Sequence, residues 1–406
     1  MKLGWVDFST EDRNKVFSVM NLLQEQGALD ELGIGLIRDA FANRFFPGTS
    51  TIQTRAKYFL IVPYVLKEAI DGKYGNNPTV IMRKINNEER ACALQLYNKC
   101  QNEGLSPIGK GIIGARNLPY KWVTRTPSEI YWSGIRTWKI CEQGTLSIQR
   151  MIEYSISMRN QEKVLNLGNR SDDKEEGQKD DIDAGRDQRI RLLDLPEYPE
   201  NWRDELDITL KGSESEFLYR KITESVPNSL LAFILQNGVN IEEYQNFEAL
   251  YEDQKDEVPE EMAHLMKLAC DFNRLVYAAR VRYNILLSRG MNDFANNEWN
   301  YIEGQITRFA DVDLEDVYQT LNILNIRLRR FLTNLQMAFL SNDWNLADEL
   351  IRKQEIDLKT RSRAKLCHTE DYDPSVWIGG GYLDYRFFSA RRIISDIYGA
   401  EGEYSV

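Results

Sequence analysis

Two stretches of the sequence hold residue types suited to binding anions. The first runs Phe46-Pro47-Gly48-Thr49-Ser50-Thr51-Ile52-Gln53-Thr54-Arg55-Ala56-Lys57-Tyr58-Phe59-Leu60. Ser50 followed by Gln53 has the capping-box spacing, which predicts a helix starting just after Ser50. Ile52, Ala56, Phe59 and Leu60 then share a core face, Thr54 and Lys57 point away from it, and Arg55 lies on its flank. The exposed first turn would offer Thr49, Ser50, Thr51, Gln53, Thr54, Arg55 and Lys57 at a helix N-terminus, where free N–H groups and the dipole attract phosphate. On this reading Arg55 faces the ligand from an exposed position, and its replacement by Ala weakens binding while leaving stability nearly unchanged. The bland alternative is a well-capped helix with solvated cations.

The second stretch is 110–139. Lys110, Arg116, Lys121, Arg125, Arg136 and Lys139 stand against Glu129 alone, and Tyr120, Trp122, Tyr131 and Trp132 are interleaved. Cations that track phosphates, beside rings on which bases stack, suit nucleic-acid binding. The competing reading puts the rings in a core and pairs the cations with the acidic half of the chain.

Other chemistry finds little support. Only two histidines are present, His264 and His368, too few for a multi-histidine metal centre or an HNH-type nuclease. Cys367-His368 near Glu370, Asp371 and Asp373 lacks the surroundings of an activated nucleophile. Glu162-Lys163 has no distinctive nuclease spacing. Gly109-Lys110-Gly111-Ile112-Ile113-Gly114 matches G-x-G-x-x-G, but Ser106-Pro107 stands where a strand should precede it and Pro119 interrupts any following helix. It reads as a loop packed closely against another backbone. No metal or cofactor is expected.

The elements that would carry these stretches are predominantly helical. Ser9 caps a first helix ended by Gly27, and a second spans about 33–45 with Ile34, Ile37, Phe41 and Phe45 in register. With the helix after Pro47-Gly48 they outline a helix-turn-helix. Pro63 kinks or ends the third helix, and 58–66 is apolar almost all round, hence central. A helix runs near 87–103. Thr126-Pro127-Ser128-Glu129 is a strong helix start, with Ile130, Tyr131, Gly134, Ile135 and Trp138 on one face, and another helix covers about 146–157. Residues 171–187 carry eight acids, three bases and no aromatic, which reads as an acidic linker or loop. Beyond it, short helices near 214–224 and 229–237 lead to long helices at about 260–288, 314–341, 344–364 and 384–398, an antiparallel bundle. Short strands are expected only at 1–8 and 208–210.

The expected fold is therefore mainly α. A basic helical domain, 1–170, has a helix-turn-helix-like core. The acidic linker 171–187, a small helical segment 188–258 and a C-terminal antiparallel helical bundle 259–406 follow.

Charge follows the same division. The net charge is −11, yet 51–170 carries 18 Lys+Arg against 9 Asp+Glu, whereas 171–406 carries −18. A basic part joined to an acidic part points to different partners for each. The five cysteines are scattered and odd in number, which suggests reduced thiols. With no signal-peptide pattern and no apolar run of the roughly 18 residues a membrane span needs, the expected location is cytoplasmic, with no membrane contact.

Several stretches together carry a family resemblance: Leu3-Gly4-Trp5-Val6-Asp7-Phe8, Glu31-Leu32-Gly33-Ile34-Gly35, Phe46 to Arg55, Gly109 to Gly114, Ile130-Tyr131-Trp132-Ser133-Gly134 and Leu383-Asp384-Tyr385-Arg386. On these residues the chain resembles an uncharacterised bacterial domain-of-unknown-function family over essentially its full length. Members sometimes occur beside helicase and phospholipase-D-like nuclease genes in what resemble antiphage defence islands. The resemblance implies a role in a DNA-directed defence system. Expected partners are DNA or RNA and a helicase or nuclease of that system. The leading functional expectation is a non-enzymatic, nucleic-acid-engaging accessory subunit whose acidic bundle docks a partner protein. The alternatives are a metal-dependent nuclease using carboxylates and a scaffold that binds protein only.

Overall fold

A computed structural model describes residues 30–142, 146–168, 192–196 and 201–401. The expected strand at 1–8, the helix after Ser9 and the linker 171–187 lie outside these residues. The chain is mainly helical, as its periodicity predicts. In order come α1 (Gly35–Phe45), α2 (Tyr58–Ile70), α3 (Pro78–Asn102), α4 (Pro127–Thr137), α5 (Ile148–Gly168), α6 (Gly212–Ser225), α7 (Leu230–Gln236) and α8 (Phe247–Gln254). They are followed by α9 (Glu260–Leu287), α10 (Asp293–Glu303), α11 (Ile306–Ala310), α12 (Leu314–Thr320), α13 (Ile326–Leu340), α14 (Trp344–Lys359) and α15 (Phe387–Glu401). Among the described residues β-pairing amounts to one isolated antiparallel bridge, Cys141 with Leu193. The strand expected at 208–210 is irregular. No helix among the described residues is long and apolar enough to cross a membrane.

The helices form two compact units, each discontinuous in sequence. One comprises 1–44 and 244–385, the other 45–243 and 386–406. The contiguous division expected from composition does not coincide with them.

The 45–243/386–406 unit is built around α2. This helix buries residues on every side, from Tyr58 to Leu66 without a break. Pro63 sits inside the helix and does not end it. Helices α3, α4 and α5 pack on it, and α6 packs on α15. The Phe59 ring lies 4.0 Å from Trp138 and 4.8 Å from Tyr131, centroid to centroid. Trp138 Nε1 donates to the Pro47 carbonyl at 2.9 Å. Gly134 is required there, because a Cβ would collide with the Gly48 carbonyl and the Phe59 ring. The Pro-Gly turn and the Tyr-Trp-Ser-Gly stretch thus serve one packing junction.

The other unit is organised on α9, buried along most of its length. Two of its amide side chains, Asn273 and Asn284, bond the backbone of Leu383 and Ile378 in paired donor–acceptor fashion at 2.6–3.0 Å. They hold the Gly-rich segment of 379–381. A buried polar cluster joins Glu355, fully enclosed, to Tyr283 Oη at 2.8 Å and Lys359 Nζ at 3.3 Å. Glu31 accepts from Lys359 and Lys365 at 3.1 and 2.8 Å. The helix expected across 314–341 is interrupted: Asn322 takes φ +52° and Asn325 caps α13.

Candidate nucleic-acid interface

The Thr49–Lys57 stretch departs from its sequence expectation. Residues 46–57 are turns and irregular backbone, and the helix begins at Tyr58. The tight turn of a helix-turn-helix is absent there, and α1 and α2 fall in different compact units. The Ser50–Gln53 spacing closes a local turn instead. Gln53 Oε1 accepts from Ser50 N at 3.0 Å, and Gln53 N donates to the Ser50 carbonyl at 3.2 Å. Gln53 is buried and its Nε2 donates to the Gly48 carbonyl. Thr49 is also buried and bonds the Phe46 carbonyl at 2.7 Å. Ile52 is half-buried, and only Thr51 of this run is fully exposed.

The cations of the stretch are engaged internally. Lys57 is 4% exposed and contacts both carboxylate oxygens of Glu214 on α6 at 2.6 and 2.7 Å. Arg55 clasps Asp396 on α15, with Nη2 to Oδ1 at 2.7 Å and Nε to Oδ1 at 2.8 Å. Asp396 also accepts the Ala56 N–H at 2.7 Å, and Arg55 Nη1 donates to the Lys110 carbonyl at 3.0 Å. The N–H groups of Thr54 and Arg55 both donate to Tyr131 Oη, at 2.8 and 3.0 Å. The place drawn in sequence for a phosphate is filled by the Asp396 carboxylate and a phenol. The expected exposure of Lys57 and Arg55 is therefore corrected. A buried ion pair leaves no lysine charge free for a ligand.

The 110–139 segment divides. Tyr131 and Trp132 are core, and Trp132 Nε1 donates to the Leu146 carbonyl at 3.1 Å. Trp132 therefore offers no stacking face. Arg136 and Lys110 are half-buried. Arg116, Lys121 and Arg125 are exposed, and Tyr120 is 94% exposed. The capping box forms as predicted: Thr126 Oγ1 accepts from Glu129 N, and the Glu129 carboxylate accepts the Thr126 N–H at 3.0 Å. Gly111 and Gly114 take φ +74° and +86° in a loop, with neither a preceding strand nor a following helix. Their neighbours are the side chains of Arg55 and Trp122, not another backbone.

Two cations unmarked by sequence reasoning, Arg83 and Arg90, extend this surface, with Lys84 on another side of the same helix. Arg83 and Lys84 on α3 are exposed and Arg90 is half-buried. Arg83, Asn86 and Arg90 share a helical face. Asn86 accepts from Trp122 Nε1 at 2.6 Å, and Arg90 Nη2 donates to the Pro119 carbonyl at 3.4 Å. That face therefore abuts the 119–122 loop. The i, i+3, i+7 spacing of Arg83, Asn86 and Arg90 was the signal that could have found it.

Of the acids near this surface, Glu129 is exposed and caps α4, whereas Glu88 and Glu89 are engaged. Glu88 pairs with Arg203 at 3.1 Å. Glu89 is buried beneath, accepting from Ser128 N at 2.8 Å. Burial pushes its carboxyl up to about 8, against the hydrogen bonds from Ser128 that favour the charged form. Among the described residues, Arg83, Lys84, Arg90, Lys110, Arg116, Lys121 and Arg125 take part in no ion pair. An acid-poor face results, suited to phosphate contacts.

The remaining candidates do not assemble. His264 is half-exposed and contacts Asp316 at 2.7 Å on the surface. Glu370, Asp371 and Asp373 are exposed. Among the described residues no three His, Cys, Asp or Glu side chains group as metal ligands. The side chains of Glu162 and Lys163 lie outside the described residues.

No curated protein and no solved structure matches the chain. The expectation of an uncharacterised family is met over 1–163, a shorter span than the full length the resemblance implied. That span includes every stretch quoted for the resemblance except Leu383 to Arg386. Residues 1–163 match the model of DUF6361, a family of unknown function.

Proposed function

We propose that the protein is a non-enzymatic nucleic-acid-engaging accessory subunit. In this reading the face formed by α3 and the 110–125 segment contacts phosphates. The observation that carries it is the set of cations Arg83, Arg90, Arg116, Lys121 and Arg125, in no ion pair, around a loop near which Glu88 is paired and Glu89 is buried. Phosphate contacts of this kind release counterions, so binding is steeply salt-dependent. The test is fluorescence anisotropy with labelled oligonucleotides across a salt series, comparing the wild type with R116A/K121A/R125A. Weaker binding by the variant supports the reading. Equal binding removes this face as the interface. The setting in a multi-protein antiphage defence system, beside a helicase or nuclease, is proposed on the family resemblance alone.

A partner-docking role on the other unit is supported by α13. Leu324, Ile326, Met337 and Leu340 are 77%, 69%, 62% and 47% exposed. Ile326, Met337 and Leu340 share one side of the helix with Arg330. Such a face suits an amphipathic, acid-bearing helix of a partner protein. Among the described residues no carboxylates group in a way that favours the metal-dependent nuclease.

A further inference from the structure

Tyr120 is an aromatic ring left in water on an ordered support. It is 94% exposed, whereas Trp122 is half-buried and Tyr131 and Trp132 are core. The backbone beneath it is closed by turns. Asn117 N and Leu118 N donate to the Gly114 carbonyl at 2.9 and 3.0 Å, and Tyr120 N and Lys121 N donate to the Asn117 carbonyl at 3.0 and 2.9 Å. Leu118 is buried as an anchor, and Arg90 holds the Pro119 carbonyl. The ring's mount is thus fixed before any ligand arrives, which lowers the ordering cost of binding. Among the described residues no hydrogen bond ties its hydroxyl, so neither face nor edge is committed to the fold. Arg116 and Lys121 are exposed on either side of it in sequence.

An exposed π-face among cations fits one class of ligand. A duplex keeps its bases stacked on one another and presents phosphates and groove edges. A single strand offers an unstacked base for the ring and phosphates for the cations, with little sequence preference. Resting on the nucleic-acid reading above, we infer that Tyr120 is a stacking platform for an unpaired base and that the ligand is single-stranded nucleic acid.

The test uses full-length protein and labelled probes of about 20 nucleotides: oligothymidylate, oligouridylate and a mixed-sequence DNA duplex. The wild type is expected to bind a single strand more tightly than the duplex at equal salt. The two single-stranded arms separate DNA from RNA. Y120A is expected to weaken single-strand binding by about 5- to 100-fold, with duplex binding and the salt slope unchanged. Y120F keeps the ring and is expected to bind like the wild type. Wild-type affinity in Y120A, or loss in Y120F equal to that in Y120A, overturns the stacking role. If R116A/K121A/R125A loses binding while Y120A does not, the phosphate-binding face stands and the stacking platform falls. If the wild type binds none of the probes at low salt, both fall. Thermal melting of Y120A at the wild-type temperature separates loss of contact from loss of fold.

Discussion

The Glu89 carboxyl lies under the basic surface at the start of α4, holding Ser128 N–H at 2.8 Å. Its ordinary value of 4.5 is pushed up to about 8 by burial, so between those values the folded chain keeps a proton that the unfolded chain has lost. The folded state therefore loses stability as pH rises through that window. Glu89→Gln keeps an acceptor for Ser128 and carries no charge. Relative to the wild type, it should gain on the order of a few kcal/mol between pH 5 and pH 9, read by urea unfolding. An identical pH profile in both proteins would show that Glu89 titrates normally. Arg55 gives a second residue-scale prediction. Its pairing with Asp396 and the Lys110 carbonyl means that Arg55→Ala should destabilise by about 1–3 kcal/mol, not leave stability unchanged as its sequence setting suggested. A melting temperature equal to wild type would return Arg55 to the exposed role. The sequence could not reveal this pair, because Asp396 is 341 residues away. Lys57 and Glu214, separated by 157, were hidden for the same reason.

At the scale of elements, local signals succeeded where one segment supplies its own partners. Thr126 and Glu129 satisfy each other's N–H groups at the start of α4, and Ser229 caps α7 through the Ala232 N–H. The apolar run 58–66 predicted the central helix, because a segment without a polar face is stable only when surrounded. Ser50 and Gln53 carry a helix-start spacing but close a turn, since the following N–H groups are taken by Tyr131 and Asp396. Tertiary partners outcompeted helix propagation there. Helix α13 was legible as helix, but its break from α12 at Asn322 was not. Its exposed apolar side is dispensable for folding on the present reading. I326E/M337E should unfold within about 0.5 kcal/mol of the wild type and should abolish co-purification of the native partner protein. A large drop in stability would place these side chains in the core.

Over the whole molecule, composition separated a basic first part from an acidic remainder, and the basic surface does fall in the unit built from 45–243 and 386–406. The interleaving of the two units was not legible, because composition is read along the chain and packing joins distant segments. The cations were legible as a cluster. Which rings stay exposed was not, since Tyr120 and Trp132 look alike until Trp132 is packed against α5's approach through the Leu146 carbonyl. The central claim, that this surface holds phosphates, is tested most directly by the salt dependence of oligonucleotide affinity. Log affinity should fall linearly with log salt, and R116A/K121A/R125A should flatten the slope by about 2 to 3, from ~0.7 per contact on a single strand to ~0.9 on a duplex. A variant with the wild-type slope, or a wild type that binds nothing at about 50 mM salt, would contradict it.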